Sequence, residues 1–486
     1  MAKVSGIRVD RLVDRMAAAR PHHPALIYGE RRWTYSQLLG EMERRATNLR
    51  ASGMQPGDVV GTNEPISDDA LITFLACCRA DLPLLHLSVR LAAAEVRPLL
   101  LRADVRLLLT ADAEPHPACP ALSTLALALP GDAVATDPAG AAAAPAMGDR
   151  DNTERCILLQ SSSGTTGGVP KLVCVPHRQL TWRYPQLFWW DTPEQVIYNT
   201  LGGNFPARKW SESLASGSTF VQASTTDIRQ MEAEMVRHRA TILRVVPALL
   251  HGLVAQPKPP PPELVLAFIR SGAAPLTPQL SQRAIARYGA AMIEEYGSSE
   301  GGGMIGTPVE GSPAGSIGKP YPGVAARIVD DAGAALPDGA IGELLIQTPG
   351  MSLGYLNDPE ANARSFRDGW LHTGDLARRD AAGFYYLSGR RALRINVGGY
   401  MVSPEEVEAV LEQHPAVREV VILGLADEAR SEVVRAIIVP RGAPPPIGEL
   451  QRFCREYLAS YKVPRHWEFR DALPRSALGK VLRHAL

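Results

Sequence analysis

Three serines, two threonines and three glycines crowd into the stretch Ser161-Ser162-Ser163-Gly164-Thr165-Thr166-Gly167-Gly168-Val169-Pro170-Lys171, which a lysine closes. Hydroxyls, backbone N–H groups turned inward by glycine, and a fixed positive charge are the means by which a loop clamps a polyphosphate. Two other readings are open to such a run: a polar surface turn, or the phosphate loop of a P-loop NTPase. The latter needs Gly-x4-Gly-Lys-Ser/Thr opening a helix, whose N-terminus adds its dipole. Here Pro170 precedes Lys171 and Leu172 follows it. The flanking runs Cys156-Ile157-Leu158-Leu159 and Leu172-Val173-Cys174-Val175 are apolar and rich in β-branched residues. The loop is therefore expected to join two strands.

Four later segments carry further candidates. Residues 265–269 read as a buried strand running into Ser271-Gly272-Ala273-Ala274-Pro275. Small residues at a strand end let a flat ring lie on the backbone, although an ordinary tight turn would look the same. In Glu294-Glu295-Tyr296-Gly297-Ser298-Ser299-Glu300 an aromatic could stack on a base and a carboxylate could hold a hard cation, which typically keeps several waters. Glu300 could equally be a solvated loop charge. Leu371-His372-Thr373-Gly374-Asp375 places an acid in an expected tight turn, where it could accept bonds from a ribose diol; aspartate is also common in turns for local reasons. Gly389-Arg390 follows, and near the end Lys480 stands after Gly479, where taken alone it reads as a surface charge.

The elements that must position these groups alternate between helix and strand. Residues 33–51 show apolar side chains at three- and four-residue steps, with Thr34 and Gln37 as a capping box. Pro56-Gly57-Asp58 turns into a short strand at Val59, and residues 71–80 and 105–109 continue the alternation, the pattern of an α/β domain. Residues 115–146 loosen into Ala, Pro and Gly, and residues 257–262 hold five prolines and a lysine. Beyond Arg390 a separate unit begins with the capping box Ser403-Pro404-Glu405-Glu406, two strands over 417–423 and 433–439, and a helix over 449–458. At 486 residues the chain is expected to hold two or three domains.

Composition removes several classes. Fifty-one basic residues balance fifty-one acidic ones, so no broad basic field for nucleic acid is expected. The six cysteines lack metal-ligand spacing, and Cys77-Cys78 is a poor disulfide frame, which fits a reducing interior. The N-terminus has no apolar export core and no long uncharged apolar run follows, so a soluble cytoplasmic protein without a membrane span is expected.

Taken in order, these segments resemble the adenylate-forming superfamily: acyl- and aryl-CoA synthetases, nonribosomal peptide synthetase adenylation domains and firefly luciferase. The resemblance runs from about residue 25 to the C-terminus. It implies an α/β protein with a large N-terminal domain (1–390) of mixed sheets flanked by helices, and a small mobile α/β domain (391–486) that carries a catalytic lysine. It further implies that Ser162, Ser163, Gly164, Thr165, Thr166, Gly167 and Lys171 hold the phosphates of ATP. Gly272, Ala273, Ala274 and Pro275, with Glu295, Tyr296, Gly297, Ser298 and Ser299, would surround the nucleotide, Gly272 and Gly297 also bordering the acid. Glu300 would bind Mg²⁺, Asp375 and Arg390 the ribose, and Lys480 the reacting carboxylate and α-phosphate; Gly398 and Gly399 would line a thiol tunnel for CoA or phosphopantetheine.

Departures from the family pattern refine these expectations. The phosphate loop is one residue longer than usual, Leu172 replaces its closing glycine, and Ser299 stands where threonine is usual. At the hinge, Ala392 occupies a position that is commonly Asp or Lys, which bears on the second half-reaction. In Gly202-Gly203-Asn204-Phe205-Pro206, expected to choose the acid through Gly203 and Asn204, no aspartate awaits an α-amino group. An uncompensated buried ammonium costs several kcal/mol, so α-amino acids are disfavoured. Asn-Phe-Pro is similar to the Asn-Tyr-Pro of aryl-acid activating enzymes, and Trp182, Trp189 and Trp190 would either line an aromatic pocket or form plain core. The expected activity is formation of an acyl-AMP, followed by transfer to CoA or to a carrier protein that is a separate chain. The rivals are an amino-acid adenylation domain acting in trans and a non-catalytic nucleotide-binding homologue.

Overall fold

The computed structural model describes residues 6–89, 91, 93–110, 124–126, 152–161, 171–183, 192–200, 205–273, 276–307, 312–390, 393, 395–397, 400–402, 404–427, 431–458, 460–475 and 481–486. A large N-terminal domain and a small C-terminal one result. In the large domain, the strands Thr219–Gln222, Val196–Asn199, Ile242–Val245, Phe268–Gly272 and Ala291–Ser298 lie side by side and parallel, and Gly302–Gly306 adds an antiparallel neighbour. Parallel strands are covered on both faces and so read as apolar runs. Ile242–Val245 is buried throughout, yet its third residue is Arg244, and Arg270 stands opposite it on Phe268–Gly272. Trp210, fully buried on the helix Ala207–Ser216, packs edge-on against Phe220 with ring centroids 5.1 Å apart.

A second sheet ends in the antiparallel pair Cys156–Ser161 and Leu172–Pro176, with Leu159 opposite Cys174 and Ser161 opposite Leu172. A strand thus follows Lys171, as the β-branched run required, and the Walker alternative has no helix there. Residues 353–356 lie along the outer side of Leu172–Pro176: Leu353 N donates to Cys174 O (2.9 Å), Cys174 N to Gly354 O (2.8 Å) and Leu356 N to Leu172 O (2.8 Å). The third sheet is built from Ala325–Val329, Gly342–Gln347, Trp370–Arg379, Phe366–Arg367 and Tyr385–Arg390, all antiparallel.

The C-terminal unit has its own core. Val407 and Leu411 of the helix Pro404–Leu411, and Leu450 and Cys454 of Ile447–Tyr457, close over Ile422 and Ile438 of the long hairpin Val417–Asp427/Ser431–Pro440. Each such aliphatic side chain contributes about 1.5–3 kcal/mol on full burial.

Three expectations need correction. The helix starts at Tyr35, because Thr34 caps it with Gln37 in the expected reciprocal box, while Trp33 belongs to the strand Arg31–Thr34 and its indole N–H reaches Asp68 at 2.9 Å. The strand expected over 265–269 lies at Phe268–Gly272, and Val265 is 73% exposed. Asp375 sits within the strand Trp370–Arg379 and not in a tight turn.

Candidate active site

Lys171 ends the hairpin loop with its ammonium 4.8 Å from the centre of the Tyr355 ring. The Tyr355 hydroxyl donates to Glu300 Oε1 at 2.9 Å. One aromatic ring therefore lies between the cation of the phosphate loop and the carboxylate expected to hold a metal. Its place is fixed by the edge pairing just described, by a 2.7 Å bond from Tyr355 N to Asn362 Oδ1 and by an edge-on contact with Phe366. Burial, followed by the Glu300 carboxylate, raises the Tyr355 phenol and keeps it a donor. The backbone on the other side is held as firmly: Gln179 Nε2 donates to Ser299 O (2.8 Å) and Ser352 N to Glu300 O (2.7 Å). Gln179 lies on the short helix His177–Thr181 that follows the hairpin, so the strand after the loop and the Glu300 turn are tied together.

Asp375 is placed by a bulge. Glu343 pairs with Leu376 and Leu345 with His372, which leaves residues 373–375 opposite Leu344 alone. Gly374 takes a φ of +69° to permit this, and the Thr373 hydroxyl donates to Leu344 O (2.7 Å) while accepting from Asp375 N (3.0 Å). Asp375 then stands directly opposite Arg390 and accepts a 2.6 Å bond from the Tyr296 hydroxyl. Tyr296 is largely buried among Met304, Ile305 and Ile317.

Beside it the backbone is bare. A Cβ at Gly272 would lie 2.7 Å from Glu295 O, and one at Gly297 would lie 2.3 Å from Gly302 O, so neither position accepts a side chain. Ala273 adopts φ +69°, a left-handed conformation that costs a non-glycine residue about 1 kcal/mol or more.

Beneath these strand ends lies a charged cluster that the sequence reading did not identify. Arg244 Nη2 is 2.5 Å from Glu212 Oε2, Arg208 Nη1 is 3.0 Å from Glu212 Oε1, and Arg270 Nη2 is 2.6 Å from Glu295 Oε1. Arg183 lies 3.5 Å from Glu212 and stacks over Tyr321, whose hydroxyl donates to Glu295 at 3.1 Å. Burial would raise the Glu212 carboxyl, but Arg244, Arg270, Arg208 and Arg183 overcome it and hold the group at about 2; Glu295 is likewise held well below the usual range. Burial, Arg244 and Arg208 push the Lys209 ammonium down to about 8. The Glu295 carboxylate thus belongs to this cluster, and its backbone carbonyl borders Gly272. The signal was present: an arginine in the middle of an otherwise apolar strand, as in Ile242-Leu243-Arg244-Val245, demands a buried partner.

The loop residues Ser162, Ser163, Gly164, Thr165, Thr166 and Gly167, together with Gly203, Asn204, Ala274, Pro275, Ala392, Gly398, Gly399 and Lys480, lie outside the described residues, as do Trp189 and Trp190. Trp182 is core, 3% exposed. Among the described residues no three His, Cys, Asp or Glu side chains gather as a metal site, and no helix is long and apolar enough to cross a membrane.

Comparison with known proteins gives this architecture its class. The profile of the AMP-binding enzyme family matches residues 13–356 and that of the AMP-binding enzyme C-terminal domain matches residues 406–480. The chain belongs to this family, within the adenylate-forming superfamily, and is an AMP-forming acid–thiol ligase. It is 31% identical to a fatty acid–[acyl-carrier-protein] ligase of Streptomyces coeruleorubidus, over 97% of this chain and 94% of that one. It is 30% identical to an indoleacetate–CoA ligase of Aromatoleum aromaticum, over 96% and 95%. Among solved structures, ATP-bound MatB of Rhodopseudomonas palustris superposes with a TM-score of 0.86 at 27% identity, covering 99% of this chain and 98% of the other.

Proposed function

We propose that the N-terminal domain, residues 1–390, binds ATP and a small carboxylic acid, and that residues 391–486 form a lid that brings Lys480 to them. A carboxylate oxygen of the acid bonds to the α-phosphorus of ATP while the bond to the pyrophosphate oxygen breaks, and acyl-AMP forms. A thiol sulfur then bonds to the acyl carbon, AMP leaves with the electron pair, and the thiol proton passes to solvent. Both reagents of the first step are anions, so catalysis must cancel charge where they meet.

The observation that carries this reading is the Lys171–Tyr355–Glu300 arrangement at the mouth of the hairpin. Lys171 neutralises phosphate oxygens with the hydroxyls of residues 162–166. The Glu300 carboxylate, steered through one oxygen by Tyr355, fits a Mg²⁺ ion that takes its other ligands from phosphate and water. When bound, that ion screens the phosphate charge. Asp375 receives the ribose hydroxyls beside Arg390, and the bare backbone at Gly272 and Gly297 leaves room for a flat base. Lys480 supplies the cation at the reacting carboxylate.

Either CoA or a carrier-bound phosphopantetheine suits the second step, since one relative at 31% identity is named for an acyl-carrier protein and another at 30% for CoA. Acid-dependent ATP–pyrophosphate exchange tests the first step: exchange above background with at least one carboxylic acid is expected, and its absence across aliphatic, aromatic and dicarboxylic acids would refute the reading. Transfer of the product to CoA against a phosphopantetheinylated carrier distinguishes the acceptors.

A further inference from the structure

We propose that Cys156 and Cys174, one on each strand of the hairpin that carries the phosphate loop, form an oxidative modification site whose reversible disulfide turns the enzyme off. The loss of activity rests on the acid-activating reading; the bond itself does not.

Register brings the two cysteines together. Cys156 stands opposite Pro176, yet Leu158 stands opposite Val175 and Leu159 opposite Cys174, so one extra residue is inserted after Cys156. On a regular strand Cys156 would share a face with Leu158, but the bulge turns it to the other side. Ile157 and Leu158 pack with Val173 and Val175 in one core, whereas Cys156 packs with Leu159, Leu172 and Cys174 in another. Cys174 lies two residues from Pro176, the partner of Cys156, which makes the cysteines diagonal neighbours on one face. Their thiols interact directly: the contact lowers the Cys174 thiol and, together with burial, raises that of Cys156. Both keep partial exposure, while Cys77, Cys78 and Cys454 are buried. Access and thiolate character decide which cysteine an oxidant reaches first, and they single out this pair, with Cys174 as the attacking sulfur.

Hydrogen peroxide supplies the oxidising equivalents. The Cys174 thiolate attacks one peroxide oxygen, the O–O bond breaks, and hydroxide leaves and takes up the proton that the thiol gave up. The Cys156 sulfur then attacks the resulting sulfenic acid at its sulfur; the S–S bond forms, the S–O bond breaks, and water leaves with the Cys156 proton. Two thiols lose two electrons in all, and the peroxide becomes two waters. A thiol reductant reverses the change by exchange.

Closing the bond reaches the active site. Diagonal neighbours ordinarily lie about 7–8 Å apart, and a disulfide holds its Cα atoms at about 4.4–6.8 Å, so the bond draws the strand Leu172–Pro176 toward Cys156. That strand is the one to which the site is fastened. Cys174 N donates to Gly354 O, Cys174 O accepts from Leu353 N, and Val173 bridges Tyr355, the residue between Lys171 and Glu300.

The test treats the reduced full-length enzyme with a small molar excess of hydrogen peroxide, then alkylates it and maps its peptides without reductant. Cys156 and Cys174 should be found joined, lighter by two hydrogens than the separate thiols, and dithiothreitol should release them. Pyrophosphate exchange should fall at least about tenfold in step with the bond, the usual minimum for loss of a partner that orients a metal-binding carboxylate, and should recover on reduction. Two thiols still open to alkylation after peroxide, or either one joined to another cysteine, would overturn the site. A Cys156–Cys174 bond that leaves exchange unchanged, or inactivation that persists in the double variant Cys156→Ala/Cys174→Ala, would overturn the switch. Absence of exchange before oxidation with any carboxylic acid would remove the acid-activating reading and the switch with it, while the peptide map still decides the site.

Discussion

Removing the Tyr355 hydroxyl while keeping its ring isolates one contact of the site. Tyr355→Phe deletes the 2.9 Å bond to Glu300 and leaves the aromatic face under Lys171, 4.8 Å from the ammonium. A hydrogen bond to a charged group contributes about 1.5–3 kcal/mol. Loss of an outer partner that orients a metal-binding carboxylate typically costs about 10- to 100-fold in affinity or activity. At about 1.4 kcal/mol per tenfold the two figures agree, so a rise of at least tenfold in the Mg²⁺ concentration for half-maximal pyrophosphate exchange is expected. Tyr355→Leu should cost more, because it also removes the cation–π contact, about 0.5–2 kcal/mol. The assay is exchange under a Mg²⁺ titration at fixed ATP, run in the wild-type and Glu300→Gln backgrounds. If Tyr355 acts through Glu300, Tyr355→Phe adds little to Glu300→Gln. A Tyr355→Phe enzyme within twofold of wild type, or one whose losses simply multiply with those of Glu300→Gln, would refute the reasoning.

Other expectations follow from single residues. Lys480→Ala should slow acyl-AMP formation by about 10²–10³, the usual worth of one fixed donor at a developing charge, and unchanged exchange would remove Lys480 from the site. Gly297→Ala forces a Cβ to within 2.3 Å of the Gly302 carbonyl and should destabilise the large domain by about 1–3 kcal/mol, read as a lower unfolding midpoint; an unchanged midpoint would contradict the packing. Burial raises the Glu294 carboxyl to about 7, against the opposing bond from the Leu276 backbone. The unfolded chain therefore loses this proton near pH 4.5 and the folded one near 7, so the group's contribution favours folding below about pH 4.5 and is lost as pH rises to 7, by at most about 3 kcal/mol. Glu294→Gln should flatten that fall in denaturant titrations between pH 5 and 8, and a slope identical to wild type would place Glu294 in a wetter setting.

What was legible in the sequence follows the range of the interaction concerned. The hairpin around residues 162–170 declared itself because apolar, β-branched runs flank a loop that must stay polar, and both signals are local. The capping box at Thr34 and Gln37 is likewise local and stands as expected. Asp375 was correctly singled out but given the wrong backbone: its Gly374 signals a positive φ, which tight turns and strand bulges share, and only the partner strand Gly342–Gln347 decides between them. Tyr355 went unnoticed because its role depends on residues 353–356 joining the edge of a strand far away in the chain.

The charged cluster sharpens the same point and turns it toward function. Strands between helical layers are selected for apolar side chains, and two arginines opposite each other in such strands are a liability unless anions reach them. Glu212 and Glu295 reach them from a helix and a neighbouring strand. Replacing a buried ion-pair cluster by well-packed aliphatic residues is often neutral or stabilising, so stability alone does not account for this one. The cluster begins under the bare backbone of Gly272, where Glu295 meets Arg270, and takes in Arg208 from the first turn of the helix Ala207–Ser216.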